Sequence, residues 1–315
     1  MDLKPGSSMT KAVSPFDPSR EAVIIEQIRT RELTKGYKNI YNMDISGQFG
    51  ALEYIYLCQC PVTGLEFYYP FGLDGDAEFY RQLSRHDWYY HPSRWEHQEV
   101  IRMITEGQRL LEIGSGDGAF LEQLLSRKTV TYTGLELNPA AVEKAAARGI
   151  RLSREPLGTH AASHAAQYDV VCSFQVMEHI SGIGEVIRDS LRVLRPGGQL
   201  IIAVPNNDTR FIRHNLHPSR FLNMPPHHVN LFSERSLKGL AGFFSLKLTH
   251  VLKEPLQENH TDVFLYNQLG RLLGGSALLT QLAWRSRLPL LFRPLVRRKA
   301  SRLKGHTIIA VFEKP

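Results

Sequence analysis

Residues 110–118, Leu-Leu-Glu-Ile-Gly-Ser-Gly-Asp-Gly, constrain the fold of this chain more than any other stretch. A short apolar run ends at Ile113, and Gly114, Gly116 and Gly118 alternate through the turn that follows. A buried parallel strand that turns sharply into a helix accounts for such a run. Glycine lets the backbone make the turn and pass close to a ligand at the mouth of the helix. The helix is expected over residues 119–126, with Phe120, Leu121, Leu124 and Leu125 on its inner face.

Strand and helix patterns alternate on either side of this turn. Strands are expected near 109–113, 131–135, 169–174 and 199–204, with a third, weakly marked one around 150–152. Helices fall near 94–106, 118–127, 139–148 and 182–194. Ser233 and Ser236 ahead of Leu237 and Leu240 start another helix, and 245–251 with 307–312 have the composition of a closing antiparallel pair. The fold class is therefore α/β, a Rossmann-like, doubly wound, mostly parallel seven-stranded sheet covered on both faces. Residues 1–20 form a flexible start and 21–93 an N-terminal accessory segment, with a helix over 19–32 and short strands within 48–70. The core spans 94–254 and 305–315, and a basic helical insertion, 255–304, precedes the last strand.

The glycine spacing separates two cofactor classes. A dinucleotide site has Gly-x-Gly-x-x-Gly with room for a pyrophosphate, whereas this loop is Gly-x-Gly-x-Gly with Glu112 two residues ahead of it. That difference favours S-adenosylmethionine. Glu136 ends the second strand twenty positions after Gly116, where such a sheet puts the carboxylate that receives ribose hydroxyls. Glu112 and Glu136 also have a plainer reading as polar strand ends in solvent, and Asp117 suits a cap on the following helix better than a catalytic role.

Further blocks follow in order: Glu136-Leu-Asn-Pro, then Tyr168-Asp-Val-Val-Cys-Ser-Phe-Gln-Val-Met-Glu178-His179, then Leu194-Arg-Pro-Gly-Gly198 leading into 199–205. With the glycine loop they resemble the class I S-adenosylmethionine-dependent methyltransferases, over roughly 98–312. The resemblance implies that Glu112, Gly114, Gly116 and Gly118 shape the methionine side of a cofactor site. It further implies that Glu136 holds the ribose, Leu137 lies against the adenine, and Phe174 and Gln175 close the pocket. The acidic residue expected near the adenine after the third strand is missing, since that segment offers only Glu155.

Methyl transfer needs an aligned nucleophile, excluded water and, for a hydroxyl acceptor, a place for its proton. Histidine takes a proton most readily near neutral pH, and His179, His227 and His228 fall at the carboxyl ends of strands, where such sheets bind ligands. They are the candidate catalytic residues. Each has a structural alternative: His179 with Glu178 as a loop brace, and His227 with His228 as part of a loop restricted by Pro225 and Pro226. No metal site is expected, because adjacent histidines tend to diverge. Cys58-Gln-Cys60 likewise lacks the second pair that a structural zinc site needs.

Composition sets the outer bounds. The chain has 315 residues, 43% of them hydrophobic, enough for a full core. Residues 281–304 carry eight Lys or Arg and no acid against a net charge of +7, leaving −1 for the rest. A nucleic-acid binder is thus not expected. The basic segment, with Leu and Trp284 between its arginines and with Pro289 and Pro294, cannot span a bilayer. It can lie on an anionic surface, grip an anionic substrate, or form a lid with a solvated basic face. The aromatic run His86, Trp88, Tyr89, Tyr90, His91 and Trp95 lies either over the cleft or against the sheet. Three cysteines and a start without an apolar signal-peptide core fit a cytoplasmic protein, peripheral at most to the inner membrane surface.

The reading that results is an S-adenosylmethionine-dependent methyltransferase. It would act on a hydroxyl of a small molecule, glycan or lipid-linked intermediate. The rivals are a cofactor-binding scaffold that docks through the insertion, and a nicotinamide-dependent oxidoreductase. The second would want pyrophosphate spacing and a Tyr-x-x-x-Lys pair, neither of which is present.

Overall fold

The structure is a computed structural model and describes residues 11–83, 85–86, 94–209, 212 and 215–315. Trp88, Tyr89, Tyr90 and His91 of the aromatic run lie outside the described residues. The larger of its two sheets has six strands: β4 (Arg109–Ile113), β5 (Thr131–Leu135), β6 (Tyr168–Phe174), β7 (Leu194–Pro205), β9 (Lys247–Pro255) and β10 (Lys304–Glu313). Their order is β5-β4-β6-β7-β10-β9, with the first four parallel and β10 antiparallel to both its neighbours. β9 and β10 are thus the expected closing pair.

Alternation along each strand sorts side chains onto two covered faces. Leu111, Ile113, Val171, Ile202 and Val204 meet Ile183 and Ile187 of the helix Ile183–Val193 and Leu237 and Leu240 of Glu234–Phe243. The opposite residues Leu110, Val170, Cys172, Ile201 and Ile309 meet Val100, Ile101 and Ile104 at the helix Trp95–Met103 and Phe120, Leu121 and Leu124 of Ala119–Leu125. Ser233 closes a reciprocal cap with Ser236, as the spacing foretold.

Two expectations fail. The seventh strand, around 150–152, shrinks to one parallel bridge between Leu135 and Ser153, made by Ser153 N–H to Gly134 O at 2.8 Å and Glu136 N–H to Ser153 O at 3.0 Å. Gly149 in a left-handed conformation just before it and Pro156 just after leave too little chain to extend the ladder. The helix expected over 19–32 is instead a strand, β1 (Val23–Arg29), with a helix only from Thr30 to Tyr41. Val23, Ile24 and Ile25 favour a strand, and six residues of β1 find antiparallel partners on β2 (Tyr54–Gln59).

β2 and β3 (Glu66–Tyr69) form the expected hairpin, and the second sheet runs β1-β2-β3-β8. Its last strand, β8 (Asn230–Leu231), comes from far along the chain, with Phe67 opposite Asn230 and Glu66 opposite Leu231. That pairing anchors the histidine-bearing turn before β8 to the N-terminal strands. Residues 256–303 contain the helices Thr261–Leu272, Ala277–Arg285 and Arg293–Lys299, the first and third joined by the Asp262–Arg293 ion pair. Among the described residues no helix is long and apolar enough to cross a membrane.

Candidate active site

β4 delivers the chain into the glycine loop, where all three glycines adopt positive φ: +70° at Gly114, +55° at Gly116 and +78° at Gly118. A Cβ on Gly114 would lie 2.5 Å from Val176 Cγ2, whereas one on Gly116 would meet nothing within 4 Å. Gly116 therefore faces open space, as a loop must if a ligand is to lie on its backbone. The loop is held at both ends. Gly114 and Ser115 donate their N–H groups to Leu135 O at 2.9 and 3.0 Å, and Gly116 N–H donates to Glu136 Oε2 at 2.8 Å.

Glu136 is half-buried, and its other oxygen accepts from Asn138 N–H at 2.8 Å. A carboxylate has about four acceptor positions, so two remain for a diol. Leu137 beside it is 61% exposed, an apolar surface open to a flat ring. Glu112 is buried, and its Oε2 has no hydrogen-bond partner among the described residues. Burial pushes its carboxyl up to about 8, with the nearby Glu136 and Asp117 adding to the rise. A buried carboxyl with one oxygen unpartnered among the described residues, beside an open glycine loop, fits the cationic end of S-adenosylmethionine.

Other residues sit differently from expectation. The ring of Phe174 is wedged between His97 and Phe120 at centroid distances of 4.9 and 4.5 Å, so its side chain serves the core. Asp117 does not cap the helix, whose N-cap is Gly118; it pairs with Arg148 at 3.1 Å. Glu155 is engaged by His160 Nδ1 at 2.8 Å. Gln175 has positive φ and gives its amide N–H to Glu96 Oε1 at 3.2 Å and Thr307 Oγ1 at 3.4 Å.

Two residues beyond Gln175, and next to the Val176 that packs on Gly114, the chain makes a short 3-10 turn, Met177–His179. This turn is locked to the strand that enters the small sheet. Val229 N–H donates to Glu178 O at 2.8 Å, and the Asn230 amide donates to Met177 O and Ile180 O at 3.0 and 2.8 Å. The result brings His179 against His227 and His228. The last two do not diverge: both backbone N–H groups bond Met224 O, and their rings stack at 4.4 Å and 21°. The His179 ring lies 4.7 and 5.0 Å from theirs. Burial lowers all three, His179 to about 4 and the other two well below the usual imidazole range, so all are neutral at physiological pH.

The match to known families falls on this same ground. A family model for the methyltransferase domain matches residues 82–251, more than half of the chain. The chain belongs to the methyltransferase domain family. It is of the class I S-adenosylmethionine-dependent type, and S-adenosylmethionine is the cofactor of that class. The ubiquinone biosynthesis O-methyltransferase of Escherichia coli O9:H4 (strain HS) is 31% identical over 156 residues, 46% of this chain and 65% of that protein. The enzyme of the same name from Escherichia fergusonii is 33% identical over 108 residues, 32% of this chain and 45% of its own. The chain thus spans less than two thirds of the length of these relatives. A solved S-adenosylmethionine-dependent methyltransferase from Archaeoglobus fulgidus superposes with a TM-score of 0.49 at 12% identity, covering 70% of this chain and 91% of that one.

The chain also carries functional candidates that its sequence alone does not reveal. Glu96 is buried on the helix Trp95–Met103 and accepts from Gln175, and Arg94 lies 3.9 Å from it. Glu254 is buried and accepts from the His306 and Thr307 N–H groups at 3.0 and 2.9 Å; burial raises its carboxyl to about 7. One signal was available for Glu96: it falls on the same helical face as the buried Val100 and Ile104, where a carboxylate needs a reason. Glu254 had none, because its partners lie across the closing strand pair. A cavity of about 880 Å³, lined in part by Leu33, Tyr68, Asn207, Phe221 and Asn223, adjoins this polar cluster through Asn223, whose amide oxygen bonds His228 Nδ1 at 3.0 Å.

Proposed function

We propose that this protein methylates a hydroxyl group on a small molecule, glycan or lipid-linked intermediate, with the proton of that hydroxyl received at the cluster of His179, His227 and His228. The observation that carries this reading is their convergence, one turn of chain beyond the residue that packs on the cofactor loop. The name of the Escherichia coli relative, an O-methyltransferase of ubiquinone biosynthesis, agrees with an oxygen acceptor.

When bound, S-adenosylmethionine supplies a methyl group activated by its sulfonium. The chain supplies the rest. Glu136 and Leu137 would hold the ribose and adenine, and Gly114, Gly116 and Gly118 would let the backbone approach. Glu112 would offset the cofactor's positive charge, and Gln175 would fix the floor between the two halves of the site. Neutral imidazoles are competent acceptors even when burial makes them weak bases, because a hydroxyl becomes strongly acidic as its oxygen forms the new bond to carbon.

The insertion supports a membrane-surface location for the acceptor. Eight large apolar side chains between Leu272 and Leu295 are at least half exposed, Leu291 at 75% and Phe292 at 58% among them. Leu278, Leu279 and Leu282 share a helix with Arg285, and Leu295 shares one with Arg298 and Lys299, the mixture that settles on anionic lipid at the inner membrane surface. The basic insertion, 255–304, is thus a docking element appended to the core, 94–254 and 305–315.

The test is turnover of methyl-labelled S-adenosylmethionine against phenols, sugars and polyprenyl-linked acceptors, with calorimetric titration of S-adenosylmethionine, S-adenosylhomocysteine and NAD in parallel. Binding of the first two with transfer to an oxygen supports the proposal. Binding of NAD alone overturns it.

A further inference from the structure

The three histidines are arranged more specifically than proton transfer requires. One ring nitrogen from each lies within 4.8 Å of the others. Each Nδ1 faces an oxygen: His179 meets His227 O at 2.5 Å, His227 meets Leu222 O at 2.8 Å, and His228 meets Asn223 Oδ1 at 3.0 Å. Backbone carbonyls only accept, and the Asn223 amide is oriented by its own N–H bond to Asn207 Oδ1 at 2.8 Å. All three Nδ1 atoms therefore carry hydrogen, and Nε2 is the lone-pair nitrogen of every ring. Imidazoles that ligate metals are fixed in this manner, one nitrogen donating to an oxygen and the other turned to the ion.

A second observation comes from the neighbouring carboxylate. Glu178 is 1% exposed, and neither of its oxygens has a hydrogen-bond partner among the described residues. Its Oε1 lies 3.8 Å from His179 Nε2. A native carboxylate buried this deeply without a partner calls for an explanation, and an ion is one.

We propose that His179, His227 and His228 bind a divalent transition-metal ion such as zinc or cobalt, with the Glu178 carboxylate beside His179 balancing its charge. Three imidazoles match such ions, whereas magnesium and calcium prefer all-oxygen shells. Nitrogens bound at about 2.1 Å to a tetrahedral ion stand roughly 3.4 Å apart, so the widest pair needs to draw in by no more than about 1.4 Å. Metal binding stands whether or not the chain transfers methyl groups. With Nδ1 protonated and Nε2 on the ion, the imidazoles would not themselves receive the proton; acidification of the acceptor hydroxyl by the ion would replace that step, and this role rests on the function proposed above.

The experiment is a titration of the tag-free, chelator-stripped full chain with Co(II), followed by visible absorbance, with Zn(II) as competitor. The expected result is ligand-field bands that saturate at one cobalt per chain and vanish on adding zinc. The bands should weaken in Glu178→Gln and disappear in the His227→Gln/His228→Gln double variant, while His250→Gln, at an exposed position, keeps them. Absence of bands in the wild-type protein, checked for folding by circular dichroism, overturns the proposal and leaves water as the partner of Glu178. Undiminished bands in the double variant overturn it as well. Calorimetry with S-adenosylmethionine on the same sample separates the two ideas: cofactor binding without cobalt binding sinks only the metal site, and the reverse sinks only the methyl-transfer reading.

Discussion

Replacing Glu136 by Ala tests the core of the site. In the structure this carboxylate accepts Gly116 N–H and Asn138 N–H, both at 2.8 Å, and its two remaining acceptor positions are the ones a ribose diol would use. A hydrogen bond to a charged group contributes about 1.5–3 kcal/mol. The lower end applies because Glu136 is only half-buried. Losing two such bonds to the diol weakens cofactor binding by about 3 kcal/mol, roughly 150-fold at 1.4 kcal/mol per decade. Loss of the two backbone bonds loosens the glycine loop and lowers Tm by about 2–4 °C for each kcal/mol of stability. Calorimetric titration with S-adenosylhomocysteine measures the first quantity and thermal unfolding the second. Glu136→Gln, which keeps one acceptor oxygen, should fall between the wild type and the alanine variant. A folded Glu136→Ala protein that binds within about threefold of wild type, well inside the ~150-fold expected, would show that the carboxylate serves the loop alone.

The two glycines flanking Ser115 should respond differently to alanine. Gly114→Ala adds a methyl 2.5 Å from Val176 Cγ2 to the left-handed backbone cost of about 1–2 kcal/mol, and Val176→Ala should relieve only the first part in a double-mutant cycle of unfolding free energies. Gly116→Ala should lose only the backbone cost in stability yet weaken cofactor binding further, because its methyl enters the space left for the ligand. Glu112 gives a pH prediction. Burial raises its folded-state value to about 8 from the ordinary 4.5 of a glutamate, so its stabilising contribution is full below about 4.5 and is lost as pH rises through 8. Glu112→Gln should flatten that decline in urea titrations from pH 5 to 9, and S-adenosylmethionine binding at pH 7 should release a proton, detected as a buffer-dependent calorimetric enthalpy; a decline unchanged in the variant refutes the assignment. For the insertion, Leu291→Ser/Phe292→Ser and Arg298→Glu/Lys299→Glu should each reduce sedimentation with phosphatidylglycerol vesicles. The charge pair should act only on anionic lipid, at about 1 kcal/mol per residue, and equal binding to phosphatidylcholine would exclude the electrostatic part.

Much of the parallel core was legible because its signals are local. Strand runs such as 110–113 and 170–174 are largely apolar, and the helices between the strands repeat at the helical period, so the boundaries at β4, β6 and the helix Pro139–Ala147 fall within a residue or so of expectation. Local signals misled where pairing decided. Residues 23–29 are a strand because β2 lies beside them, and the segment before Ser153 fails to become one because a glycine and a proline shorten it.

The sequence by itself determined the α/β class, the glycine loop with Glu112 and Glu136, and the concentration of positive charge in 281–304. Those features follow from side-chain periodicity and from backbone freedom that only glycine has. Tertiary structure alone decided that His179, His227 and His228 share one cluster beside the Glu178 carboxylate, which has no hydrogen-bond partner among the described residues, and that Glu96 and Glu254 join the same polar floor. His179 and His227 stand forty-eight residues apart in the chain. They meet because Asn230 and Val229 bond the turn at Glu178 and because β8 pairs with β3, and interactions of that range leave no periodic trace in the residues between.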